Sequence, residues 1–112
     1  MGITLADVLA VKFKTAKVEI DGLGTAYVRE LSYADRVAFF KAWNDEGADD
    51  AAILVASTFC DEGGKLLVTT QDVQGFPNSI AIQLYDAATA LNFPKVEEPV
   101  DPKSGESAQQ TS

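Results

Sequence analysis

Val28-Arg29-Glu30-Leu31-Ser32-Tyr33-Ala34-Asp35-Arg36 is the stretch that decides the fold, because within it the apolar pattern changes from alternation to helical spacing. Upstream, Phe13, Val18 and Ile20 lie among Lys12, Lys14, Lys17 and Glu19, and Tyr27, Val28 and Leu31 follow a Gly22-Leu23-Gly24 break. That pattern predicts a β-hairpin with its turn at Asp21 to Gly24. Downstream, Ser32 is a good N-cap, since its hydroxyl can accept from the amide of Asp35, and the Asp35 carboxylate sits near the positive end of the helix dipole. The helix should run to about Asn44. At helical spacing Tyr33, Val37, Phe39, Phe40 and Trp43 fall on one broad apolar arc, with Asp35 and Lys41 outside it.

On either side of this junction the chain is mainly helical. Thr4 with Asp7 forms a capping-box pattern for a short helix through about Ala10. Asn44 to Asp50 is a polar loop, after which Asp49 or Asp50 caps a helix expected over about Ala51 to Cys60. That helix is apolar nearly all round, with only Ser57 and Thr58 polar. A buried strand competes for the same residues, but the alanines and the length favour a helix. Asp61-Glu62-Gly63-Gly64 predicts a tight turn and Lys65 to Thr69 a short β-prone run. Thr69 or Thr70 caps a helical turn through Val73. Asn78 with Ser79 opens a last helix to about Asn92, with Ile80, Leu84, Ala87 and Leu91 in a stripe and Tyr85 and Ala88 on its flank. Pro94 ends it, and residues 94–112 are Pro-containing and polar, which predicts a disordered tail. The expected fold is therefore α+β, a mainly helical domain over residues 1–93 with one small antiparallel sheet.

Composition narrows the function. Seventeen acidic against nine basic residues give a net charge of -8, which repels phosphate backbones and anionic lipids alike and argues against nucleic-acid or membrane binding. Cys60 is the single cysteine and histidine is absent, so neither an intramolecular disulfide nor a Cys/His metal site can form. No segment has the length of a membrane span or the pattern of a signal peptide, and a reducing cytoplasm fits. Gly2 resembles the start of a myristoylation signal, but Ala6 stands where that signal requires Ser or Thr.

Residues that suggest chemistry have simpler explanations. The acidic loop Asn44-Asp45-Glu46-Gly47-Ala48-Asp49-Asp50 invites a calcium reading. An EF-hand loop with Gly47 or Gly63 at its invariant glycine would begin at Ala42 or Thr58, which leaves the first ligand missing. Adjacent acids in glycine turns, such as Asp61 with Glu62, face water rather than dividing acid and base roles. Cys60, with no histidine to act as base and placed at a helix C-terminus, should be an inert core thiol. No catalytic, metal-binding or cofactor-binding residue is expected. The aromatic arc is different, because Phe39 and Trp43 widen it beyond the stripe that a small domain needs for its own core. Core packing accounts for most such arcs, and the surplus is what a partner would dock on. The candidate partner-binding residues are Phe39, Phe40 and Trp43, with Tyr85 on the last helix.

The hairpin leading into Tyr27-Val28-Arg29-Glu30-Leu31-Ser32, the helix with Arg36 and Phe40, the apolar helix, Cys60-Asp61-Glu62-Gly63-Gly64-Lys65, the Thr69-Thr70-Gln71-Asp72-Val73 turn and the helix Leu84 to Asn92 occur in an order that resembles the tail assembly chaperones of long-tailed bacteriophages. The resemblance covers about residues 17–93. It implies a non-enzymatic helper in the host cytoplasm that binds the tape measure protein, keeps it soluble, recruits tail tube subunits and leaves the finished tail, working as a homo-oligomer. It implies no cofactor. Two other classes share the small acidic domain: a structural tail or head-to-tail completion protein, which would be found in virions, and a cytoplasmic adaptor or inhibitor that needs no neighbouring tail genes.

Overall fold

The computed structural model describes residues 2–94. The elements in chain order are α1 (Leu5–Leu9), β1 (Thr15–Ile20), β2 (Gly24–Arg29), α2 (Tyr33–Trp43), α3 (Asp50–Ala56), β3 (Phe59–Cys60), α4 (Thr70–Gln74) and α5 (Asn78–Asn92). This is the expected α+β domain with a small antiparallel sheet. The disordered tail expected from residue 94 onward lies, Pro94 apart, outside the described residues.

The hairpin forms where alternation placed it. β1 pairs antiparallel with β2 from Thr15 opposite Arg29 to Ile20 opposite Gly24. The chain reverses through Asp21, Gly22 and Leu23, closed by the Leu23 amide donating to the Ile20 carbonyl at 2.9 Å, and Gly22 (φ 82°) takes a left-handed conformation open to glycine at little cost. Ser32 caps α2 by accepting from the Asp35 amide at 3.1 Å. Asp49, of the two candidates, caps α3 by accepting from the Ala52 amide at 3.0 Å. Thr69 and Asp72 form a complete capping box at the start of α4. α5 departs from expectation in its start: Pro77 occupies the cap position without a side-chain hydrogen bond, and Asn78 is already helical.

The larger correction concerns residues 57–60. The expected helix to Cys60 stops at Ala56, and Phe59–Cys60 form β3 instead, pairing with Val28 and Tyr27 of β2. Thr58 explains the break. Its buried hydroxyl donates to the carbonyls of Leu54 and Val55, at 2.8 and 3.3 Å, which satisfies the last turn, while its own carbonyl accepts from the Arg29 amide at 2.8 Å. Poor helix formers at Ser57 to Cys60 thus pass to an open sheet edge that offers backbone partners. The β-prone run after the turn is reduced to a single bridge, Leu66 opposite Cys60.

Packing places α5 across β1 and β2, with α3 wedged against α5, α4 and α2. The main core gathers Ile20, Val28, Ala52, Val55, Ala56, Val73 and Leu84 between sheet and helices. A second cluster, Phe39, Leu54 and Ala88, joins α2 to α3 and α5, bordered by Leu31, Ile53, Tyr85 and Phe93. Asn92 locks this second cluster to the sheet, accepting from the Leu31 amide at 2.8 Å and donating to the Arg29 carbonyl at 3.4 Å.

Candidate functional site

The aromatic arc of α2 divides into an inner and an outer part. Phe39 is 1 % exposed and belongs to the core, so its assignment as a surface residue for a partner is corrected: in this chain it is a support. Tyr33, Val37, Phe40 and Trp43 point outward, at 84 %, 44 %, 38 % and 58 % exposure. Residues i, i+4 and i+7 share one helix face, so Tyr33, Val37 and Phe40 make a continuous apolar strip down α2. With Arg36, Lys41 and Asn44 they line a shallow groove of about 360 Å³.

The strip rests on a ring stack. Phe39 meets Phe40 edge-on at 5.4 Å and Trp43 edge-on at 5.5 Å, and stacks on Phe93 at 5.7 Å. Phe40 in turn contacts Trp43 at 6.1 Å and Phe93 at 5.6 Å. These separations lie in the range where aromatic pairs attract beyond simple burial. The Arg36 guanidinium lies 5.1 Å from the Phe40 ring and 4.9 Å from that of Phe93, so a cation covers the edge of the stack. The rings are thereby held before any partner arrives.

Tyr85 stands elsewhere. It is half-buried between the two core clusters, and its open edge lines a different groove, with Ala51, Gln74, Phe76 and Ile82 among others. The structure thus brings Phe40 and Trp43 together with Tyr33, Val37, Arg36 and Phe93, and leaves Tyr85 out. Arg36 and Phe93 were absent from the sequence-based candidates. Arg36 is three residues before Phe39 and four before Phe40, a spacing that signals a shared face; Phe93 lies beyond the last helix, where spacing carries no information about its neighbours.

Groups capable of chemistry are not gathered at this face. Cys60 is buried in β3, where burial pushes the thiol up, nearby Arg29 opposes that and Asp61 adds to it. Its inertness therefore comes from desolvation rather than from a helix C-terminus. Among the described residues, no three of His, Cys, Asp and Glu are placed to hold a metal ion, and no helix is long and apolar enough to cross a membrane. What the face offers is a rigid apolar strip flanked by Arg36 and Lys41, suited to an amphipathic helix with acidic flanks.

Against known proteins, a family model described as phage tail assembly chaperone matches residues 6–92. No curated protein and no solved structure matches the chain.

Proposed function

Since the chain belongs to the phage tail assembly chaperone family, we propose that it works by binding an apolar helical segment of the tape measure protein on the outer face of α2. The observation that carries this reading is the exposure of Tyr33, Val37, Phe40 and Trp43 along one preformed strip. A long helical protein with apolar stripes aggregates until those stripes are covered. A set of small, strongly acidic partners would cover them and add the charge that keeps the complex dissolved. Copies spaced along the tape measure in the host cytoplasm would then give way as tail tube subunits are recruited. Binding, not catalysis, is the activity in this account.

The test is co-expression with the tape measure protein encoded beside this gene, scoring capture and the solubility of that partner. Wild type should hold it in the soluble fraction, whereas a Phe40→Ser, Trp43→Ser double variant with an unchanged circular dichroism spectrum should not. A folded wild-type protein that leaves the tape measure aggregated would overturn the proposal.

A further inference from the structure

The first part of the chain is an arm that the domain itself does not use. α1 has no buried residue, and Ile3, Leu5, Leu9 and Val11 are 69 % exposed or more, at 81 %, 73 %, 74 % and 70 %. Leu5, Val8 and Leu9 share one helix face by their i, i+3, i+4 spacing. Yet the helix is specified with care: the Thr4 hydroxyl accepts from the Asp7 amide at 3.2 Å, and the Asp7 carboxylate accepts from the Thr4 amide at 2.9 Å. A helix of this length does not persist in water by itself, because nucleation costs more than so few hydrogen bonds return. A capped, aliphatic and uncovered helix is one built to be covered.

The arm leaves the body at a fixed point. The Phe13 ring lies 4.0 Å from the Arg29 guanidinium, and Lys14 exchanges two backbone-anchored hydrogen bonds with Glu30, both at 2.8 Å. Elsewhere on the same molecule, between the hairpin turn, β3 and α5, lies an open groove of about 380 Å³, with Ile20, Leu23, Phe59, Leu67, Ile80 and Leu84 in its lining. Asp61 and Glu62 stand at its rim, while the arm carries Lys12 and Lys14 after its aliphatic face. Shape, apolarity and charge are therefore complementary between two surfaces of one chain.

We propose that α1 of one copy docks into this groove on a second copy, with Leu5, Val8 and Leu9 inserted and Lys12 facing Asp61 and Glu62. The arm and the groove are different surfaces, so the contact is heterologous and each copy retains a free arm or a free groove for the next. Copies would string together by their arms while the α2 strip of each stays open. The inference stands independently of which protein that strip binds.

Sedimentation velocity on the full chain across a wide concentration range tests this, using two surface variants that leave the core intact. Wild type should show mass rising with concentration. Leu5→Ser with Leu9→Ser removes the arm, and Leu67→Asp, at a position 51 % exposed, blocks the groove; each should weaken self-association by about tenfold or more. Mixing the two should restore a dimer and nothing larger, since one variant keeps the groove and the other the arm. A wild type that is monomeric throughout, or assembles equally well in both variants, would overturn the proposal. So would an arm that folds back on its own domain, revealed by concentration-independent loss of thermal stability in the arm variant.

Discussion

Phe39 and Trp43 are four residues apart on α2 and carry opposite duties. Phe39 is enclosed by Phe40, Trp43, Phe93 and the α3–α5 packing, so Phe39→Ala should cost about 3–5 kcal/mol in denaturant unfolding. Trp43, more than half exposed, should lose about 1 kcal/mol or less on replacement by Ala, while capture of the partner falls. Helical spacing alone places both on one arc, and what separates them is the position of Phe93, which no local pattern reveals. Cys60 supplies a second residue-scale expectation. Its thiol is raised by burial, so the folded state keeps a proton that the unfolded chain gives up. Stability from this group is complete below the unfolded thiol range and declines as pH rises above about 8.5. Cys60→Ala should flatten that alkaline limb in pH-dependent unfolding, and modification of the native thiol by iodoacetamide should be slow at neutral pH.

At the scale of elements, the caps were legible because each is a short-range hydrogen bond written into adjacent residues: Thr4 with Asp7, Ser32 with Asp35, Thr69 with Asp72. The two capping boxes should nevertheless differ in consequence. Thr69→Ala should lower global stability by about 1 kcal/mol, because α4 packs Val73 into the core. Thr4→Ala should leave unfolding of the dilute protein unchanged, because α1 packs on nothing in its own chain. Urea titrations of the two variants side by side would show the contrast. β3 was not legible, since Phe59 and Cys60 become a strand only through pairing with Tyr27 and Val28, far away in sequence. The turn after it is tied to that same register. The Gly64 carbonyl accepts from Arg29 Nη1 at 2.9 Å, and Gly64 has a φ of 93°, so Gly64→Ala should cost about 1–2 kcal/mol by the same unfolding measurement.

For the molecule as a whole, the α+β class and the helical order followed from periodicity, whereas the division of apolar residues between core and surface needed the fold. The outer strip of α2 and the arm of α1 both look like core in the sequence, since an aliphatic or aromatic residue carries no mark of which side it faces. The net charge of -8 is spread over loops and helix starts, while Arg36 and Lys41 flank the apolar strip, so a partner with acidic helix flanks would meet cations on an otherwise acidic protein. Trp43 is the single tryptophan and lies on that strip, which makes it a direct reporter of docking. The decisive measurement is its fluorescence during titration with the purified tape measure segment that co-expression captures. A blue-shifted emission with protection from acrylamide, saturating as the complex forms, is the predicted result; a complex that forms while Trp43 keeps its solvent-exposed emission and quenching would contradict the account.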